Sequence, residues 1–583
     1  MPPMSLRATV LVLFVAGLAL SGCHGSKSVD FPVSSPPEDS RGAHRSFVQS
    51  ETSMVRIDQD ERPEGEPAAR YLVGYNDDTL AVEDIATTCF QFTAQRPTID
   101  GLANSDDFGG NWVRHEQFPV TPALSEHGVG ARHGDPWLAA WSSKDPAVPG
   151  RVLYVSVAQA NRSRFGGPFS LLLTRSSDNG KTFEESFVVL PPQGPVPDGP
   201  KVAITGAGTS ALVIWNDPSL KAVPIRLVTG LDADLRTTGT FLIDPVAIAS
   251  PPDPSCTFAS SAVHPRVAAG HDTYYVAALI TYSCSAGLKQ RLEVYRNPPI
   301  GIALGVPWQR IMSVEPPPSL PSVGFGVLNA EDAHGTPQFG TLVDRGSSLP
   351  SLAVGQAADG EFAIVADLQV QAGTLPDEAH REKVILFRLP KADTCDARHH
   401  RGDLDSCGAK IAGQEVDALA KPNGMETVAS RAGLWESKPA VFTGKVPDGT
   451  VDSRVGVIWY AQPYKGRMSV TDEMRARTIV EAAVSKDGGV TFAGPFNLTA
   501  ARPGDPVPPE NPADPNLGLY FHPCPFLCPG SIYFGEYLSG VFEFADSGPI
   551  DVVGAWGDSR EGCTDQHATT RHHHVWAGAV RPD

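Results

Sequence analysis

The sequence predicts an all-β chain folded as a β-propeller of seven blades, with six as the alternative count. Three observations carry this. Gly (56) and Pro (53) are abundant among the 583 residues and charged residues make up only 19%, a composition suited to short strands and turns rather than long helices. A Pro-x-[Leu/Val]-Ala phrase recurs at Pro136, Pro200, Pro265 and Pro350, with a weaker copy at Pro439. Each copy is followed by two more apolar runs. Units of three or four strands, unable to cover both faces alone, are stable when stacked around an axis.

Residues 1–22 read as an export signal. Arg7 supplies a positive start and Val10 to Leu20 an apolar core of signal-peptide length. The run Leu20-Ser21-Gly22-Cys23 resembles the bacterial lipobox. That resemblance implies cleavage before Cys23 and its acylation, and so a lipoprotein of the cell envelope, expected in the bacterial outer membrane. Residues 23–47, rich in Ser, Pro and charge, are expected to be a flexible tether. The propeller is expected over 48–583.

Within it the units follow in order. The first is degenerate, with Glu51 to Val55 and then Tyr71 to Tyr75. In the next five, Pro opens an inner strand, where no ladder donor is needed. The second strands are Val152 to Ser156, Ala211 to Trp215, Tyr274 to Ala278, Phe362 to Ala366 and Val455 to Trp459. The third strands are Leu171 to Thr174, Ile225 to Val228, Leu292 to Tyr295, Val384 to Phe387 and Ile479 to Ala483. These runs are apolar without alternation, as strands covered on both faces must be. The last unit is read as Tyr533 to Tyr537, Val552 to Trp556 and Val575 to Ala579.

Eight cysteines besides Cys23 suit disulfides in an exported protein. Cys256 and Cys284 bracket a strand hairpin, and Cys395 and Cys407 flank a polar loop. Cys524 with Cys528 and Cys89 with Cys563 is one of three pairings open to the remaining four. A net charge of −19 gives no basis for non-specific nucleic-acid binding. His572, His573 and His574, with His567 and Cys563, lack a matching second pair at zinc spacing, so neither metal nor cofactor is expected.

Two turns share the pattern S-x-D-x-G-x-T-F: Ser176, Asp178, Gly180, Thr182 and Phe183, and Ser485, Asp487, Gly489, Thr491 and Phe492. A third, Ser105, Asp107, Gly109 and Trp112, carries Asn111 in place of Thr. Asp can accept bonds from the backbone of its own turn, and Gly admits a backbone angle that a Cβ would penalise. The pattern is the Asp box, and through it the chain resembles the sialidase-like (BNR-repeat) propellers. The resemblance implies that these boxes are structural hairpins. It also implies that ligands meet the channel mouth, where three arginines, a Tyr–Glu pair and an Asp would serve a sialidase.

The family's Arg-Ile-Pro motif is not found. The residues two before each repeat Pro are Gly134, Asp198, Val263, Ser348 and Ser437, and Arg56-Ile57 is followed by Asp58. By position, Asp135, Arg266, Glu536, Tyr537, Asp558 and Arg560 are candidates for the mouth, with Glu51 and His264 beside them. Tyr537 and Glu536, as strand neighbours, point to opposite faces, while Asp558 and Arg560 share a face and suit a structural ion pair. Two readings follow. One is a monomeric, lipid-anchored module that recognises a glycan or protein at the mouth and touches the membrane only through its anchor. The other is a glycoside hydrolase of exo-sialidase type with a divergent site.

Overall fold

The computed structural model describes residues 27–33, 49–58, 69–77, 100–106, 112–115, 118, 120–143, 145, 147–160, 168–193, 197–217, 219–220, 222–244, 254–258, 265–285, 287–314, 323–325, 350–358, 360–371, 381–389, 414–415, 439–444, 453–461, 479–499, 538–543, 552–558 and 574–581. The chain opens on β1 (Lys27–Pro32). Blade one follows as β2 (Gln49–Asp58), β3 (Ala69–Asp77), β4 (Asp100–Ser105) and β5 (Val113–Arg114). A short helix, α1 (Pro122–Glu126), capped by the Thr121 hydroxyl, leads to blade two. That blade is β6 (Ala131–Trp141), β7 (Arg151–Gln159), β8 (Phe169–Ser176) and β9 (Phe187–Gln193). Blade three is β10 (Asp198–Ile204), β11 (Ser210–Asn216), β12 (Val223–Thr229) and β13 (Arg236–Ile243).

Blade four adds a strand, β14 (Thr257–Phe258), to β15 (Arg266–Ala269), β16 (Tyr274–Cys284), β17 (Gly287–Asn297) and β18 (Gln309–Val314), with α2 (Pro299–Ala303) between the last two. Blade five likewise adds β19 (Val323–Phe325) to β20 (Ser351–Ala357), β21 (Gly360–Gln371), β22 (Arg381–Leu389) and β23 (Gln414–Glu415). Blade six is β24 (Ala440–Thr443), β25 (Val455–Ala461), β26 (Ile479–Ser485) and β27 (Ala493–Asn497). Blade seven comprises β28 (Ser539–Phe542), β29 (Val552–Asp558) and β30 (His574–Arg581), with β1 as its outermost strand.

The described strands thus form seven antiparallel sheets, which settles the count at seven rather than six. The innermost strands β2, β6, β10, β15, β20, β24 and β28 touch in sequence, and β28 touches β2, so the ring closes. Apolar side chains fill every seam between blades. Leu153, Val155 and Leu171 meet Val202, Ala211 and Val213 between blades two and three. Val553 and Ala555 meet Met54, Tyr71 and Val73 between blades seven and one. Hydroxyls pin the inner strands as well. The Thr52 Oγ1 donates to the Ala555 carbonyl (2.8 Å), and the Leu138 N–H donates to Ser53 Oγ (2.8 Å).

Two expectations are corrected. Lys27–Pro32, assigned by sequence to the tether, is a strand, running antiparallel to β30 from Lys27 opposite Arg581 to Pro32 opposite Trp576. Val33, 3% exposed, then enters the seam between blades seven and one. The inner strand of the last blade is Ser539–Phe542, placed beyond the expected 533–537 run, which lies outside the described residues. The Cys256–Cys284 disulfide is present and ties the β14 segment to the end of β16. The Cys395–Cys407, Cys524–Cys528 and Cys89–Cys563 pairings and Cys23 fall outside the described residues.

Both complete S-x-D-x-G-x-T turns lie between third and fourth strands, at the face of the ring opposite the start of the inner strands. Asp178 accepts from Ser176 Oγ (2.7 Å), the Thr182 N–H (2.9 Å) and Thr182 Oγ1 (2.6 Å), while the Gly180 N–H donates to Ser176 Oγ (2.9 Å). Asp487 repeats this with Ser485 (2.7 Å) and Thr491 (2.8 and 2.6 Å). Burial raises the carboxyl of Asp178, but the bonds from Thr182, Ser176 and Lys181 outweigh it and hold the group below its ordinary value.

Each turn also grips the preceding blade. Arg70 of blade one reaches the Asn179 carbonyl (3.4 Å), and Arg388 of blade five donates to the Gly488 carbonyl (2.8 Å). Gly180, at φ +75°, would place a Cβ 3.0 Å from the Leu72 methyls, and Gly489, at φ +86°, one 2.7 Å from Ile364 Cδ1. Gly489→Val is therefore expected to destabilise the protein by about 2–4 kcal/mol, from backbone strain plus a forced shift of Ile364. Thermal melting checks this. A melting point within about 0.5 °C of wild type (roughly 0.6 kcal/mol or less) would contradict it. Of the third box, Ser105 and Trp112 are described and Asp107 and Gly109 are not; the neighbouring Asp106 holds Arg70 by two bonds of 2.5 and 2.8 Å.

Candidate functional site at the channel mouth

The inner strands all begin at one face, which is the mouth of the channel. At β6 the ladder breaks between Arg132 and Gly134 and again between Gly134 and Trp137. Gly134 (φ +96°) and Asp135 (φ +52°) both take left-handed backbone there. Asp is among the few side-chain-bearing residues that tolerate that region. The bulge turns the Asp135 N–H onto Asn76 Oδ1 of blade one (2.7 Å) and brings its carboxylate Oδ2 to the Gly199 N–H of blade three (3.4 Å). Asp135 thus ties three consecutive blades at the mouth.

Two residues on stands Trp137. The matching position of blade three is Lys201 and that of blade four is Arg266. Both cations converge on the indole, Lys201 Nζ at 4.6 Å and Arg266 Cζ at 5.7 Å from the ring centroid. Neither is a surface residue: Lys201 is 0% and Arg266 5% exposed. Lys201 donates to the Gly199 and Pro200 carbonyls (3.2 Å each) and Arg266 to the Pro265 carbonyl (3.4 Å). A cation over a desolvated indole gains about 2 kcal/mol. The grouping is two buried basic residues set against one indole.

Behind it lies a second charged pair. Arg132, on the same bulged strand, meets Asp100 of blade one at 3.3 Å with both side chains buried. Asp100 Oδ2 also accepts from Ser156 Oγ (2.7 Å), and Arg132 bonds Ser186 and lies over the Phe118 ring at 5.2 Å. Burial pushes the Asp100 carboxyl up to about 6, against the opposing pull of Arg132, Ser156 and the Gly134 N–H. The same burial lowers Arg132. Asp100 accepts from the Gly134 N–H and so positions the Gly134–Asp135 bulge.

Because the native value of Asp100 lies above its unfolded value of 3.8, the native state holds that proton more tightly. The stability it contributes is complete below the unfolded value and is lost as pH rises through the native one. Wild type relative to Asp100→Asn is expected to lose about 3 kcal/mol between roughly pH 4 and 7. Denaturant unfolding at several pH values measures this, and a difference that does not change with pH would contradict it.

Of the residues singled out from sequence, Asp135 lies in β6 and Arg266 opens β15, both on inner strands. Glu536, Tyr537, Arg560 and His264 lie outside the described residues. Asp558 ends β29 opposite His574 in register, at the mouth end of blade seven. Arg56 lies at the far end of its strand, bonded to Asp58 (2.6 Å) and the Phe542 carbonyl (2.7 Å). Sequence reasoning missed Trp137 and Lys201. The signal was there: they and Arg266 occupy the x of three successive Pro-x-[Leu/Val]-Ala phrases. Among the described residues no group of three or more His, Cys, Asp or Glu is placed to hold a metal ion.

No protein-family model and no curated protein matches the chain. Among solved structures, it is similar to a protein of unknown function from Dyadobacter fermentans at 11% identity, covering 96% of this chain and 100% of that one, TM-score 0.34. It is also similar to a Trypanosoma rangeli sialidase in complex with sialic acid at 12% identity, over 77% of this chain and 59% of that one, TM-score 0.34. A mutant of the NanB sialidase from Streptococcus pneumoniae matches at 9% identity, over 75% and 68%, TM-score 0.35. At such scores the fold assignment stands on the strand pairing and ring closure of this chain itself.

Proposed function

We propose that the protein is an exported, lipid-anchored, sialidase-like propeller whose channel mouth recognises an anionic glycan. One observation carries the reading: Lys201 and Arg266, both buried, converge on Trp137 from successive blades at the mouth. In a chain of net charge −19, two basic side chains gathered against one indole at the mouth support an acidic ligand, a carboxylate or a sulfate. An indole and a guanidinium together serve a sugar acid well, the one for its apolar ring face and the other for its charge.

An array of neutral, sialylated, uronate-containing and sulfated oligosaccharides tests this. The intact protein is expected to retain acidic members and pass neutral ones. Retention of neutral members only, or of none, would overturn the reading. Sugar released from any retained member would move the assignment to a glycoside hydrolase. The anchor is tested separately. Cys23→Ala is expected to shift the protein from the membrane to the soluble fraction, and a variant that stays with the membrane would remove the anchor from the proposal.

A further inference from the structure

Resting on the proposed acylation of Cys23, we infer that the propeller is held close against the bilayer by its lower rim, with the channel mouth facing away from the membrane. The argument begins with β1. Its register runs from Lys27 opposite Arg581 to Pro32 opposite Trp576. In the neighbouring pair, His574 lies opposite Asp558 and Val580 opposite Val552. Inner strands run from the mouth to the far face, so in an antiparallel blade β29 returns to the mouth and β30 descends again. Lys27 is therefore at the far face, on the outermost strand of blade seven. That is the face of the S-x-D-x-G-x-T turns, not of the Trp137 recess.

Only residues 24–26 separate Cys23 from that strand. The four backbone steps from Cys23 to Lys27 reach at most about 14 Å. A free tether of the length read from sequence would have had an end-to-end distance of about 25–30 Å and left the ring free to turn. The short link holds one corner of the ring at the headgroups, and the eight residues of β30 put the mouth roughly 25 Å beyond. The arrangement fits the mouth to ligands arriving from outside the membrane rather than to the lipid surface.

Energy transfer tests the orientation. The acylated protein is reconstituted in vesicles of phosphatidylethanolamine and phosphatidylglycerol bearing headgroup-labelled acceptor. A donor dye is placed at Lys486→Cys, exposed in the far-face turn of blade six, or at Ser219→Cys, exposed between β11 and β12 at the mouth. Labelling of the unsubstituted protein is subtracted. Transfer from position 486 is expected to exceed that from 219 by at least about threefold, given the roughly 25 Å offset. A Gly-Ser linker of about 20 residues inserted between Ser26 and Lys27 is expected to erase the difference. Equal transfer without the linker, or greater transfer from 219, would overturn the orientation while leaving the anchor standing. Failure to recover the protein with vesicles, and no transfer from either site, would overturn the anchor and the orientation with it.

Discussion

Deleting residues 27–33 is expected to abolish cooperative melting or to lower the melting temperature by at least about 3 °C. The deletion touches no predicted repeat, and by the sequence alone it would trim a tether. In the folded protein it removes the outermost strand of the last blade and with it six register pairings, Lys27 to Pro32 against Arg581 to Trp576. It also removes Val33, whose N–H donates to the Val575 carbonyl (2.9 Å) and whose side chain packs with Met54, Tyr71 and Val553 across the closing seam. Loss of that side chain alone costs about 2 kcal/mol. The larger effect is that β30 becomes an open edge offering unpaired backbone to other chains. Circular dichroism melting and size-exclusion chromatography follow both consequences. A deleted protein that melts like wild type and remains monomeric would show that β1 does not close the ring.

The second large effect is at the mouth. Lys201→Met is expected to weaken retention of acidic oligosaccharides by about 10- to 100-fold, the worth of one charge-assisted hydrogen bond at 1.5–3 kcal/mol. Arg266→Gln is expected to do the same. Lys201→Met keeps the apolar stem that packs beside Trp137 and removes the ammonium that donates to the Gly199 and Pro200 carbonyls. A lysine that serves only the fold would show a lower melting point with binding intact, whereas a binding residue loses affinity. Affinity and melting are measured on the same preparation.

How much of this was legible in the sequence depends on how local each signal is. The Pro-x-[Leu/Val]-Ala phrases and the unalternating apolar runs are local, so the blades could be placed strand by strand. β1 was not legible. "KSVDFP" is only six residues long and sits in a Ser- and Pro-rich stretch, so by composition it belongs to a linker. Only its pairing with residues near 580 makes it a strand, and no local pattern encodes that. The same limit explains the mouth. Arg266, Lys201 and Trp137 each look like ordinary strand residues, and their meeting is a product of ring geometry that brings equivalent positions of three blades to one point. Asp100 and Arg132 belong to different blades and meet across their seam. The two complete S-x-D-x-G-x-T turns were readable as turns from their own residues, but not their grip on Leu72 and Ile364 of the preceding blades.

Hydrogen exchange tests the central claim most directly, namely that ligand is received where the first strands of blades two, three and four begin. The protein is compared with and without the acidic oligosaccharide it retains best. Protection is predicted in peptides spanning 131–138, 198–203 and 265–268, with the turns at 176–183 and 485–492 unchanged. Protection confined to those turns, with the three mouth segments exchanging as in the free protein, would contradict it.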